Sequence, residues 1–207
     1  MARRLGPLTR DSLAELSAPC RACTRFELSP VAQASVADPE AGAQAKADWL
    51  STTLLDWGSC GQVVRVDDEV VGYVLYAPPA YLPGLASYPT APLSPDAVAL
   101  ATLRVEPAYA DRGLARVLVQ GMAADLVRRG VRAVEAVAAA GGGSPCLVPA
   151  DFLLAVGFTT VRGHPRTPRL RLDLRSTRRE DLVESALERL LGGARGQVAM
   201  PRVTPAP

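Results

Sequence analysis

Between Leu103 and Ala115 the chain reads Leu-Arg-Val-Glu-Pro-Ala-Tyr-Ala-Asp-Arg-Gly-Leu-Ala. An apolar run enters this stretch and an amphipathic run leaves it, so a strand passes through a small-residue turn into a helix. The chemistry on offer is anion binding. The first amides of a helix have no intrahelical acceptor, and together with the helix dipole they hold a phosphate or pyrophosphate. Gly113 and Ala115 allow the backbone to come close, and Arg112 and Arg116 add positive charge. No glycine-rich loop ends in Lys-Ser or Lys-Thr, which excludes a P-loop nucleotidase. The missing Gly-x-Gly-x-x-Gly argues against a dinucleotide-binding fold. On the residues alone two readings stay open: a seat for a phosphate-bearing ligand, or an ordinary tight strand-to-helix turn.

Two other features carry reactive side chains. Cys20-x-x-Cys23 is half of a zinc site or a redox pair, and further ligands would have to come from Cys60, Cys146 or His164. Its surroundings are not the strand-to-helix context of a thioredoxin motif, and no metal is expected. His164 is the only histidine. It sits in a basic loop with Arg162, Arg166 and Arg169, either as a contact for a carboxylate-bearing substrate or as one more solvated loop residue.

The elements that hold these residues are legible. Ala97–Val105 is apolar on both faces, the pattern of a buried central strand. Leu114, Val117, Leu118, Met122 and Leu126 fall on one face of a helix over 114–129, which ends in Arg128, Arg129 and Gly130. Val131–Ala138 is a second buried strand, so the centre is a βαβ-like unit. Before it, 61–77 reads as a hairpin around Asp67-Asp68-Glu69, and Pro78–Pro95 as a long proline-rich loop. Further upstream, residues 10–16 form a short helix capped near Asp11 or Ser12 and stopped by Pro19. Asp38-Pro39 starts a helix running to Trp57. Downstream, a break at 141–145 leads to a short helix over 150–156, then to strands at 158–161 and 170–174. A capping box, Thr177 with Glu180, opens a last helix. The expected organisation is a helical N-terminal region over 1–57 that is part of the same domain, a core over 58–175, and a C-terminal helix and tail over 176–207.

The composition removes several classes. The chain has 207 residues, 48% of them apolar, and 23 basic against 21 acidic side chains give a net charge of +2. That is a globular composition, long enough to bury about 70% of the unfolded surface without a disulfide or metal staple. The balanced charge gives no general electrostatic case for nucleic acid. Lys46 is the only lysine, and the scattered arginines read as coding bias. Four cysteines do not make a disulfide scaffold. No apolar run reaches the ~18–20 residues of a membrane span, and the stretch after Arg3-Arg4 is too short for a secretory leader. The expected setting is cytoplasmic, with no membrane or nucleic-acid partner.

The central residues resemble the GNAT superfamily of N-acyltransferases. Its signature is a valine-ended strand, an x-Pro step, then Arg/Gln-x-x-Gly-x-Gly/Ala entering a helix. Here that is Val105-Glu106-Pro107, then Ala110-Asp111-Arg112-Gly113-Leu114-Ala115. The preceding hairpin, the following strand, and the short helix ending in Gly157-Phe158 also fit, so the likeness covers roughly residues 60–174. It implies an α/β (α+β) fold: a mixed, mostly antiparallel sheet with helices on both faces. It also implies acetyl-CoA, or another acyl-CoA, as co-substrate. The loop Ala110–Ala115 and Arg116 would take the pyrophosphate, and Leu103, Arg104 and Val105 the pantetheine arm. A splay between the two central strands would admit the thioester.

The resemblance is incomplete where the chemistry is done. The first loop position, usually Arg or Gln, is Ala110. The position of the usual tyrosine acid is Leu153, and that of a common glutamate base is Ala99. Cys146 is a substitute donor or a small core residue. Asp96, Glu106 and Tyr76 remain as other acid–base candidates, and an ordered water chain is an alternative base. The expected activity is acetyl transfer to a primary amine of a small molecule or peptide by direct attack, with a homodimer left open. The alternatives are a catalytically silent acyl-CoA-binding module and a Cys-x-x-Cys metal-linked interaction protein.

Overall fold

The computed structural model describes residues 2–141 and 146–174. The capped helix expected from Thr177 and most of the break at 141–145 lie outside the described residues. The strands are β1 (Arg3–Pro7), β2 (Gly61–Val66), β3 (Glu69–Ala77), β4 (Ala97–Val105), β5 (Ala133–Ala139), β6 (Val148–Pro149), β7 (Thr159–Arg162) and β8 (Arg169–Asp173). The helices are α1 (Arg10–Ala14), α2 (Ala18–Ala22), α3 (Pro30–Ala34), α4 (Pro39–Asp56), α5 (Leu114–Arg128) and α6 (Ala150–Ala155). The strands join in one sheet ordered β1-β2-β3-β4-β5-β8-β7, with β6 against β5. Only β4–β5 and β5–β6 are parallel; every other pair is antiparallel.

Alternation along the strands sends side chains to two separate cores. On one face Val64, Val74, Tyr76, Leu100 and Val134 pack against Leu118, Met122 and Leu126 of α5 and Leu153 of α6. On the other, Val63, Tyr73, Leu75, Ala99 and Val137 pack against Leu13, Cys20 and Leu50 of α1, α2 and α4, and against Leu82, Leu85 and Tyr88 of the long loop. The N-terminal helices therefore roof the second face, and residues 1–174 form one compact unit. No helix among the described residues is long and apolar enough to cross a membrane.

Local chemistry explains the joints. Asp67 and Asp68 turn β2 into β3 with φ of 49° and 71°, the left-handed pair a two-residue hairpin demands and one that aspartate tolerates. Asp38 caps α4 by accepting from the Ala41 amide at 2.8 Å, with Pro39 in the first turn. The cap of α1 is Thr9, in a reciprocal box with Ser12, where Asp11 or Ser12 was expected. Pro19 does not stop a helix; it sits in the first turn of α2, where its missing N–H costs nothing. The sole lysine is also placed. Lys46 Nζ lies 2.8 Å from Glu27 Oε1, with both side chains at most 2% exposed, and donates to the Cys23 carbonyl at 2.7 Å.

Candidate active site

β4 organises the site. Along one edge it pairs with β3 from Ala99 to Val105. Along the other, its ladder with β5 runs only through Ala97, Val98 and Ala99. Leu75 pairs with Thr102 and Tyr76 with Leu100, which leaves Ala101 as an extra residue on β4. A bulge bends its strand and sharpens the twist, so the C-terminal half of β4 leaves the line of β5. β5 in turn closes on β6 at Ala138 and Ala139. The result is an opening in mid-sheet whose β4 side offers main-chain groups. Exposure follows the bend: β4 is buried from Ala97 to Ala101 and half-buried from Thr102 to Val105. Leu103 and Val105 lean on the α5 core. Arg104 shares the opposite face with Tyr73, its register partner, and its buried Nε has no hydrogen-bond partner.

The turn after β4 is fixed from both ends. The Glu106 amide donates to the Val71 carbonyl at 2.8 Å, and Tyr109 donates its hydroxyl to Glu69 at 3.1 Å. Asp111 and Gly113 take φ of 58° and 74°, left-handed backbone that aspartate tolerates and glycine adopts freely. Gly113 is the N-cap of α5, and no side chain caps that helix. Ala110, Asp111, Arg112 and Gly113 are exposed, while Leu114 is buried in the core. The Arg112 guanidinium lies over the Tyr109 ring at 5.0 Å, and its carbonyl accepts from Arg3 at 3.3 Å. Ala115 follows in the first turn. Arg116 reaches away, donating to the Ala155 carbonyl of α6 at 3.3 Å. An uncapped helix end beside a mid-sheet opening suits an extended ligand with an anionic portion.

The acid–base candidates have different surroundings. Tyr76 lies on the α5 face, where its hydroxyl donates to Asp125 at 2.9 Å. Burial pushes that phenol up, so it keeps its proton. Asp96 stands at the start of β4 in a two-point pair with Arg171, at 3.0 and 2.8 Å, and this pair holds its carboxyl below the usual range. Arg171 also bonds Glu135, 3.2 Å away and fully buried in β5. Cys146 is half-buried beyond the end of β5, with its Sγ 3.6 Å from Cys23 Sγ. The hydrogen bond to Cys23 pushes the Cys146 thiol up and burial adds to this. The same bond draws Cys23 down to about 6. Arg25 lies beside both sulfurs and donates to the Tyr88 hydroxyl at 3.0 Å.

The Cys-x-x-Cys does not act as a local pair. Cys20 is turned to the Tyr73 hydroxyl, and Cys23 meets the thiol of Cys146, from the segment between β5 and β6. Among the described residues no group of three or more His, Cys, Asp or Glu side chains could hold a metal ion. His164 Nδ1 accepts from the Thr167 amide at 3.0 Å and the Arg166 amide at 3.3 Å, which makes the ring a brace for its own loop. No spacing or motif in the sequence links Arg25 and Tyr88 to the cysteines; the fold brings them to the thiols.

A family model described as Acetyltransferase (GNAT) family matches residues 23–142. Among solved structures, the PaiA N-acetyltransferase from Thermoplasma acidophilum in complex with coenzyme A superposes with a TM-score of 0.56 at 10% identity, covering 84% of this chain and 99% of that one. An N-acetyltransferase from Staphylococcus aureus Mu50 gives 0.56 at 12% identity, over 84% and 99%. An acetyltransferase from Thermus thermophilus gives 0.51 at 23% identity, over 84% and 97%. At these identities the likenesses establish the fold. No match was found among curated proteins.

Proposed function

Because the chain belongs to the GNAT family of acetyltransferases, we propose that it transfers an acetyl group from acetyl-CoA to a primary amine by direct attack on the thioester. The observation that carries this is the junction at the C-terminal end of β4: a strand edge freed by the Ala101 bulge runs straight into an uncapped helix start. The free edge at Leu103, Arg104 and Val105 suits the amides of a pantetheine arm. The amides from Ala110 to Arg116, with the Arg112 charge, suit a pyrophosphate. A main-chain amide aimed into the opening would polarise the thioester carbonyl.

The amine then needs a free lone pair, and the departing thiolate needs a proton. An alkylamine reaches its neutral form through water in a small fraction at neutral pH. Cys146 is the proposed donor to the thiolate, because it carries an S–H that is half-buried in the segment before β6, the strand that closes on β5. Tyr76 and Asp96 serve this less well, being committed to Asp125 and Arg171. The acceptor is a small-molecule or peptide amine, chosen by residues 1–57 and the loop 78–95, which roof the face that carries Arg104.

The test is a titration with acetyl-CoA, followed by thiol release across amine classes with the wild type, Cys146→Ala and Cys146→Ser. Saturable binding, turnover with one amine class, and a lower kcat at unchanged acetyl-CoA affinity in the alanine variant are expected. Absence of binding at high micromolar acetyl-CoA overturns the reading. The second reading, an acyl-CoA-binding module without turnover, is favoured by the apolar, fully buried Leu153 and Ala99. It predicts binding with no thiol released by any amine.

A further inference from the structure

Cys23 follows α2 on the roof of the sheet, and Cys146 precedes β6. They are 123 positions apart, yet their sulfurs sit 3.6 Å from each other. The other two thiols are placed differently: Cys60 is fully buried, and Cys20 is buried against Tyr73. Only Cys23 and Cys146 keep partial exposure. Two thiols in contact lack about 1.5 Å of a covalent S–S bond, a gap that side-chain rotation closes when the backbones are already near. Their charge setting favours exchange. Arg25 borders both sulfurs, Lys46 lies near Cys23 together with its partner Glu27, and the two sulfurs share a hydrogen bond in which either can donate. Thiol–disulfide exchange is fastest when the attacking thiol is ionised near ambient pH and its resolving partner is within reach.

We propose that Cys23 and Cys146 form a dithiol site that closes to an intrachain disulfide by exchange with a low-molecular-weight disulfide such as oxidised glutathione. The Cys23 thiolate attacks one sulfur of oxidised glutathione. A Cys23–glutathione bond forms, the glutathione S–S bond breaks, and one glutathione thiolate leaves. Cys146 gives up its proton to that thiolate and attacks Cys23 Sγ. The intrachain bond forms, and the second glutathione departs as a thiolate and takes a proton from solvent. From the Cys23 thiolate the chain loses two electrons and one proton, and with the proton from solvent oxidised glutathione becomes two reduced molecules. Cys20, although only three positions from Cys23, takes no part. The site stands on the geometry of the two thiols and does not depend on the acyl-transfer reading.

The experiment incubates the reduced full chain with oxidised glutathione near neutral pH, then maps it by non-reducing digestion and mass spectrometry. Free thiols in the denatured protein should fall from the four present to two, with the peptides of Cys23 and Cys146 joined. Cys146→Ser should arrest the reaction as a glutathione adduct on Cys23, and Cys20→Ser should leave the cross-link intact. A Cys20–Cys23 linkage, loss of the cross-link in Cys20→Ser, or four free thiols after incubation of folded protein would each overturn the proposal. Should a variant fail to fold, the wild-type map alone decides.

Discussion

Two glycines flank α5, and they make an internally controlled test of the anion seat. Gly113 and Gly130 both have a φ of +74°, and a Cβ built on either meets nothing within 4 Å. An alanine at either position therefore adds backbone strain without a clash. Left-handed geometry costs an L-residue about 1–2 kcal/mol. For a unit of this size each kcal/mol lowers Tm by roughly 2–4 °C, so Gly113→Ala and Gly130→Ala should each lose about 2–8 °C, and by similar amounts. Their effects on ligand should differ. Gly113 begins the helix whose first amides are proposed to hold the pyrophosphate, and Gly130 follows its far end. Loss or misalignment of one charge-assisted hydrogen bond, about 1.5–3 kcal/mol, weakens binding roughly 10- to 100-fold. Isothermal titration with acetyl-CoA beside thermal melts reads both quantities. The reasoning fails if Gly113→Ala binds within twofold of the wild type, or if Gly130→Ala loses as much affinity.

Lys46→Met should leave the Glu27 carboxylate buried and unpaired. Removing one partner of a buried pair costs about 3–5 kcal/mol, visible as a lower urea midpoint, and adding Glu27→Gln to that chain should recover part of it. Arg129→Met removes hydrogen bonds to the carbonyls of Ser59 and Trp57, at 2.6 and 2.7 Å, and a guanidinium 3.7 Å over the Trp57 ring. The expected loss in a thermal melt is about 2–3 kcal/mol, since the side chain is partly exposed and the contacts overlap. Iodoacetamide at pH 7 should label Cys23 and spare Cys60 until the protein unfolds, because burial pushes the Cys60 thiol up to about 12. The folded chain thus binds the Cys60 proton more tightly than the unfolded chain. That contribution is complete below about pH 8.5 and is lost as pH rises toward 12. The stability advantage of the wild type over Cys60→Ala should shrink over that range.

Elements buried on one face, or on both, could be read directly. The helix α5 and the strand β4 lie within a residue or two of where periodicity puts them, because apolar spacing is what packs them; α4 is found as closely through its Asp38-Pro39 start, although the positions it buries are Gly42, Lys46, Leu50 and Thr53. β1 could not be read this way. Arg-Arg-Leu-Gly-Pro has almost no buried side chain and is held by main-chain pairing to β2. The run around Glu135 reads as plainly apolar, and only the fold supplies Arg169 and Arg171, whose guanidiniums make a fully buried carboxylate tolerable. The turn into α5 was legible because glycine and small residues mark left-handed backbone. The bulge was not, because alanine carries no preference that distinguishes Ala101 from its neighbours. The meeting of Cys23 and Cys146 depends on every element between them.

The parting of β4 from β5 has a consequence for how this molecule answers to mutation. The rim of the opening is peptide, and peptide groups are common to all residues. Along Leu103–Val105 an exchange of side chains alters bulk and charge, but the N–H and C=O vectors remain as long as the bend does. Proline is the one substitution that deletes a donor outright. A saturation scan across this rim, read as ligand affinity of the variants that stay folded, should therefore drop most at proline, while polar exchanges at Leu103 and Val105 register chiefly as lost packing on α5.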